Sequence, residues 1–310
     1  MPDTYRAEQT EHEAERDADA LAARFEQDRP RLRSVAYRML GSLSEAEDAV
    51  QEAWIRLART GDGALRDVSA WLTTVVSRVC LDMLRSRTAR REEPLDTHVP
   101  DPVVTAATAP EEEAVLTDSV GLALLVVLDR LAPAERIAFV LHDLFAVPFD
   151  SIAPVVDRTP AATRQLASRA RRRVRREGPA PQSDTTRRRQ VVEAFLAASR
   201  AGDLDALVAV LDPEVVLRVD AGALEGGVSH LVRGAGKVAG QAVRFRRVAP
   251  FARLALVNGA PGLVTAPNGE PVSVMDFTIR DGLVVEINLI ADRARLRDLG
   301  LPDLGVEQDG

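Results

Sequence analysis

Apolar residues recur at helical spacing through the first part of the chain. Leu32, Val35, Ala36 and Met39 fall on one face, and Gly41-Ser42 closes that helix. Ser44, with Glu47 three residues on, reads as a capping box that opens a second helix. Its buried stripe is Val50, Ala53, Trp54 and Leu57, which leaves Asp48, Gln51, Glu52 and Arg56 for solvent or a partner. Gly61-Asp62-Gly63 interrupts the pattern. A third helix, from about Ser69 to Arg87, offers Leu72, Val75, Val76, Val79 and Met83 to a core. Its other side carries Trp71, Thr74, Arg78, Asp82 and Arg85, an aromatic among cations suited to holding an unstacked base and its phosphate.

From Glu92 to Glu113, prolines 94, 100, 102 and 110 stand among acidic residues, a composition that predicts an extended linker. Helical periodicity returns at Ser119 to Leu131, stops at Ala132-Pro133 and resumes through Phe139, Val140 and Leu144. Gly178 to Ser183 reads as a second linker. After Thr186 the pattern changes to two helices joined at Gly202-Asp203, followed by strands. Pro213 leads into the strand Val215 to Val219, and Val272 to Ile279 and Leu283 to Ile290 flank the hairpin turn Arg280-Asp281-Gly282. Asn258-Gly259 and Asn268-Gly269 are further turns. This last part predicts an α+β domain with a curved antiparallel sheet wrapped on helices.

The stretch Phe149 to Arg176 carries the clearest chemistry. Thr159-Pro160 starts a helix, since the hydroxyl accepts from first-turn amides and proline is at ease at the first helical position. Leu166, Ala167, Ala170 and Val174 share one face of it, and Gln165, Ser168, Arg169, Arg172 and Arg176 the opposite one. Ser151 to Val156 supplies a short preceding helix in which Pro154 fits because the helix has barely begun, and Asp157-Arg158 supplies the corner. A solvated arginine face is the plain alternative, but it explains neither the capped start nor the packing face. Arginine forks hold phosphates and read guanine edges, and Gln165 can pair with adenine.

The net charge of −7 over 310 residues argues against a chain basic throughout. Charge is segregated instead, with an acidic beginning and a strongly basic run from Arg158 to Arg189. Cys80 is the one cysteine, so a single chain holds no disulfide framework or cysteine zinc site, which predicts a cytoplasmic protein. The longest apolar run, Val120 to Leu128, falls far short of the roughly twenty residues of a membrane span. His12, His98, His142 and His230 are isolated in sequence, and no nucleophile-elbow or phosphate-loop motif occurs; no metal, cofactor or catalytic set is predicted.

With these residues in view, the chain resembles bacterial sigma factors of the extracytoplasmic-function (ECF) group, in particular those with a fused SnoaL-like C-terminal domain. SEAEDAVQEAWIRL is similar to the polymerase-clamping helix of sigma region two, and WLTTVVSRVCLDMLRSRTARR to the part that melts and reads the minus-ten promoter element. PAATRQLASRARRRVRR is similar to the region-four helix that reads the minus-thirty-five element. The resemblance implies two all-α sigma domains, the second a helix-turn-helix, and an α+β cone domain. The expected organisation is an acidic tail (1–24), region two (25–91), linker (92–113), region four (114–177), linker (178–185) and cone (186–310).

The implied partners are core RNA polymerase and promoter DNA, with a small ligand in the cone as a further reading. By similarity, Asp48, Gln51 and Trp54 face polymerase, while Trp71, Arg78, Asp82 and Arg85 lie near the melted strand. Arg164, Gln165, Ser168, Arg169 and Arg172 meet the upstream duplex. The family's glycine-rich run after Asp220 stands here as Ala221-Gly222-Ala223-Leu224.

The leading expectation is an initiation factor regulated in cis by its C-terminal domain. A ligand-responsive helix-turn-helix repressor would leave the Ser44 to Leu57 and Trp71 to Arg87 helices idle, and nothing in the chain looks like a dimerisation helix. In a third reading the cone is an isomerase or cyclase, with Asp220, Asp276 or His230 at its pocket. Asp276 would sit among apolar neighbours with a raised pKa, though no second catalytic partner stands at a telling spacing.

Overall fold

The computed structural model describes residues 2–60, 65–90, 97–106, 121–177, 185–222 and 229–302. The breaks at Gly61-Asp62-Gly63 and Gly178–Ser183, the prolines Pro94 and Pro110, and Ala223-Leu224 lie outside the described residues. The chain divides into two compact units. Met1–Arg91 joins Leu131–Arg172, and Glu92–Arg130 joins Arg173–Gly310.

The first unit is helical. Helix α1 (Pro2–Leu40) continues unbroken through Pro30. An interior proline forfeits one backbone bond, which is offset here by the packing of Phe25, Leu32, Val35, Ala36 and Met39 on both sides of it. Helix α2 (Leu43–Thr60) starts two residues earlier than its sequence suggests. Ser42, rather than Ser44, stands ahead of its first turn, its hydroxyl 3.5 Å from the Glu45 amide. Glu47 therefore turns outward, to Arg29 at 2.5 Å and Arg33 at 3.5 Å, and the Ser44–Glu47 capping box does not form.

Helix α3 (Val68–Arg90) is initiated by Asp67, whose carboxylate accepts from the Ala70 amide at 2.9 Å. It packs against α1 and α2 and also against the helical segments Pro133–Phe139 and Phe149–Val156, so it is buried on more than one side. The predicted single stripe is widened accordingly. Leu72, Val76, Ser77, Cys80, Leu81 and Leu84 are buried, whereas Val79 and Met83 are only half-buried.

Helix α5 (Pro133–Phe139) begins at Pro133 and runs into a π-helical turn, Val140–Leu144. Helix α6 spans Phe149–Val156, so the expectation that Pro154 stands near a helix start is corrected: it is the sixth of eight residues. Asp157 adopts the left-handed conformation (φ 55°, ψ 55°), the geometry for which a glycine is usual at such a corner. Helix α7 (Pro160–Glu177) then starts under Thr159, whose hydroxyl accepts from Ala162 N at 3.2 Å.

The second unit is built on a seven-stranded sheet among the described residues, in the order β1-β4-β5-β6-β7-β2-β3. The strands are β1 (Val104–Ala106), β2 (Leu211–Asp220), β3 (His230–Arg233), β4 (Ala252–Val257), β5 (Ala260–Thr265), β6 (Ser273–Arg280) and β7 (Leu283–Ile290). Left-handed pairs at Asn258-Gly259 and Asp281-Gly282 make the β4–β5 and β6–β7 hairpins. The sheet is not wholly antiparallel, because β2 lies parallel to β7, with Arg218 beside Asn288. A long return through β3 to β6 separates those two strands in sequence, so nothing forces a hairpin between them. Strand β2 also begins ahead of Pro213, and its register shifts between Leu211 and Val216, where the proline withholds a ladder donor.

Helices α8 (Thr185–Ala201), α9 (Leu204–Val210) and α10 (Ala235–Arg244) cover one face of the sheet. The core there includes Val192, Phe195, Leu207, Leu217, Val219, Val238, Leu263, Phe277 and Ile287. Two further elements pack on β6: helix α4 (Leu122–Asp129) and helix α11 (Arg293–Asp298).

The stretch read as the first linker contributes β1, which lengthens the sheet at the β4 edge with Val104 opposite Val257. Asn258 clamps its start: the Asn258 amide donates to Val103 O at 2.7 Å, and the Val103 amide donates to the Asn258 side chain at 3.1 Å. Hydrophobic periodicity cannot reveal a three-residue strand made by backbone pairing.

Candidate nucleic-acid interface

Helix α7 turns outward the residues expected to read DNA. Arg164, Gln165, Ser168, Arg169 and Arg172 are all exposed, while Thr163, Ala167 and Ala170 are buried beneath them. Small side chains at 163, 167 and 170 let the helix lie close to its support. Arg164 sits over the Phe149 ring at 5.2 Å, and Phe149 in turn stacks on His142 at 3.8 Å. Arg169 is 3.8 Å from Glu135, and Arg171 is 2.7 Å from Asp143. Arg164 and Arg169 are thus held by weak, exchangeable contacts that a phosphate can replace.

The α3 face is also assembled. Trp71 is half-buried, and Arg78, Asp82 and Arg85 are exposed, with Arg85 3.9 Å from Asp82. Arg78 is engaged within its own unit, where Nη2 donates to the Pro154 carbonyl of α6 at 3.4 Å. Helices α3 and α6 pack directly, so the two faces read from sequence as separate DNA contacts belong to one compact body.

On α2, Asp48 and Gln51 are exposed and Trp54 is half-buried, its ring 5.0 Å from that of Phe25. Ile55, which sequence reasoning passed over, is 37% exposed beside them and adds an apolar contact to that face. An exposed isoleucine one residue outside a helical stripe is the signal that could have found it.

The two candidate pocket carboxylates lie on the sheet face opposite the helix-covered core. Asp276 alternates along β6 with Phe277, which faces α8, so Asp276 is on the opposite side of the sheet from the helix-covered core. Asp220 alternates with Val219 in the same way and ends β2. Of the three, only His230, paired with Val219, is on the helix side, half-buried with Nε2 3.5 Å from the Gln241 amide.

Asp276 is buried at the centre of a polar ladder. It accepts from Asn288 at 3.4 Å, Asn288 accepts from Arg218 at 2.9 Å, and Arg218 pairs with Glu286. Burial raises the Asp276 pKa to about 6, against the opposing pull of Asn288 and Arg188 and with the help of Glu286. Since the folded value lies above the ordinary one, its contribution to stability is full below about pH 4 and is lost as pH rises through about 6. From about pH 7 down to about pH 4 the parent should gain about 2 kcal/mol over Asp276→Asn, read from urea unfolding at each pH.

Asp220 is held the other way. Burial favours its neutral form, but His98, the Val99 amide and the Arg295 charge outweigh that and lower its pKa to about 2. Arg295 donates to Asp220 at 2.9 Å, and also to Asp101 and to the Val99 carbonyl. Those contacts fasten residues 98–101 to the sheet domain through one guanidinium. Gly222, at φ +70°, stands where a Cβ would come within 2.1 Å of the Asp292 carboxylate, which itself caps α11. Among the described residues no cluster of potential metal ligands occurs, and no helix is long and apolar enough to cross a membrane.

The family comparisons agree with this geometry. The Sigma-70 region 2 family matches residues 24–90 and the Sigma-70 region 4 family residues 121–174. The ECF RNA polymerase sigma factor SigJ of Mycobacterium tuberculosis is 43% identical over 287 residues, covering 86% of this chain and 90% of that protein. The probable ECF RNA polymerase sigma factor SigI of the same species is 36% identical, covering 91% and 96%. The crystal structure of SigJ superposes with a TM-score of 0.72 at 38% identity, covering 91% of this chain and 99% of that one. Helices on a mixed sheet, following the two sigma regions, complete the architecture with a SnoaL-like domain. Sigma domains work on core RNA polymerase and promoter DNA, and on these grounds the chain belongs to the ECF sigma factors, which direct transcription initiation.

Proposed function

We propose that this sigma factor rests in a closed form that core polymerase opens, and that its SnoaL-like domain regulates that opening in cis. The carrying observation is the packing of α3 on α6, with Arg78 bonded to Pro154. The names of the two promoter elements put them roughly twenty-five base-pair steps apart, or ~85 Å at ~3.4 Å per step. Packed helices lie about 10 Å apart, so α3 and α6 must separate before both elements are held.

In the open complex Arg164, Gln165, Ser168, Arg169 and Arg172 meet the upstream duplex. Trp71, Arg78, Asp82 and Arg85 meet the melted strand, and Asp48, Gln51 and Trp54 meet polymerase. The cone acts on the chain between the two sigma modules. Residues 98–106 are held by Arg295 and by strand β1, and α4, at the start of the region-four match, packs on β6. Chain held in a sheet is withdrawn from spanning the two DNA elements.

Regulation is favoured over catalysis because Asp220 and Asp276 point away from the helix-covered interior and are engaged with other chain groups. A small ligand of the cone would meet His230 and Gln241 at its polar edge. The protein acts where polymerase acts, in the cytoplasm.

Energy transfer between dyes at Asp82→Cys and Ser151→Cys tests the closed form, with the buried Cys80 left unlabelled. High transfer in the free protein should fall when core polymerase and promoter are added. Transfer that stays high in a complex competent to initiate would refute the opening.

A further inference from the structure

One part of the SnoaL-like domain carries charge of a single sign. From Gly226 to Gly269 the sequence has Arg233, Lys237, Arg244, Arg246, Arg247 and Arg253, and not one carboxylate, within a chain of net charge −7. The densest part is Arg244-Phe245-Arg246-Arg247, which leaves the end of α10, and all four residues are exposed. Phe245 is 51% exposed, and Phe251, one short turn later, is 42% exposed. Among the described residues no carboxylate lies within ion-pair distance of Arg244, Arg246 or Arg247.

The turn that carries them is fixed. Arg200 of α8 donates to the Ala249 carbonyl at 3.3 Å and to the Ala252 carbonyl at 2.8 Å, and Arg253 donates to the Pro250 carbonyl at 2.6 Å. The Val248 amide closes on Phe245 O at 2.9 Å and the Phe251 amide on Val248 O at 3.0 Å. Two large apolar rings are therefore held in water on an ordered support, in a stretch whose exposed Arg244, Arg246 and Arg247 have no acidic partner among the described residues. Burial is the ordinary use of such rings.

We infer that this surface binds single-stranded nucleic acid, with bases stacking on Phe245 and Phe251 and phosphates held by Arg244, Arg246 and Arg247. Rigid exposed aromatics beside a positive track are the two parts such sites combine. A duplex has its base faces already stacked and could use only the cations. Both a melted DNA strand and a transcript present this chemistry. The inference does not depend on the closed form or on cis regulation.

The test uses the full chain and fluorescence anisotropy with a thymidine homopolymer, a uridine ribo-homopolymer and a duplex. Phe245→Ala with Phe251→Ala should weaken single-strand binding at least about fivefold and leave duplex binding unchanged. Arg246→Gln with Arg247→Gln should reduce the slope of log affinity against log salt by about 1.4 for a single strand. A larger loss on the deoxy arm assigns the surface to a melted strand, and on the ribo arm to a transcript. Parental binding in both variants overturns the inference. So does equal loss on the duplex, or a change in sedimentation with no change in binding, which would make the patch a contact between copies of the chain.

Discussion

Replacing Arg295 by alanine is expected to destabilise the C-terminal unit by about 3–5 kcal/mol, the usual effect of removing one partner from a buried ion pair. Arg295 joins two carboxylates, Asp101 and Asp220, and the Val99 carbonyl, and its side chain is largely buried. Without it Asp220 keeps His98 and the Val99 amide but loses its permanent charge partner. The effect should be local before it is global. Amide exchange at Val99 and through β1 should rise first, because the Arg295 contacts and the short ladder to β4 hold that segment. Arg295→Lys should fall between parent and alanine variant, since an ammonium supplies charge without the planar fork that reaches three acceptors. Equal unfolding midpoints for the parent and Arg295→Ala would show that the linker is held by something other than this guanidinium.

The second large effect is on initiation. Arg169→Ala combined with Arg172→Ala should lower transcription from the chain's own promoter by about 30-fold or more, taking ~1–3 kcal/mol for each base or phosphate contact. Both side chains are exposed, so thermal stability should barely change; the Arg169–Glu135 pair is a surface bridge worth under about 1 kcal/mol. Loss of activity with an unchanged melting curve separates a reading face from a structural one. Unchanged activity would return α7 to the status of a solvated arginine helix.

These two residues sets differ in how visible they are from sequence. The α7 face could be read directly, because a capped start, small buried residues and outward arginines all follow from helical spacing. The same held for the turns at Asn258-Gly259 and Asp281-Gly282, where left-handed backbone needs those residue types. Arg295 could not be found that way, since its partners lie 75 and 194 positions away and only the folded sheet brings them together. Strand β1 was hidden for a related reason: prolines and acids mark a segment as extended but do not say against what it lies. The parallel pairing of β2 with β7 is likewise a property of topology.

For Asp276 the strand pattern is legible only in part. Alternation correctly put Asp276 with Val274 and Thr278, and its pKa is raised as that burial requires. Which of the two sheet faces the helices would cover was not in the strand pattern, because both faces of this sheet are buried. Val264, Val274 and Ile290 on one side are as inaccessible as Leu263 and Phe277 on the other. Two-sided burial similarly blurred the stripe of α3.

The most direct test of the account is run-off transcription with purified core RNA polymerase, the full chain and a promoter selected from a random library. A discrete start is expected that requires the chain, moves with the selected sequence, and is lost when Arg169 and Arg172 are both alanine. Failure of the full chain to initiate at any selected sequence, with polymerase active on another sigma factor, would contradict it.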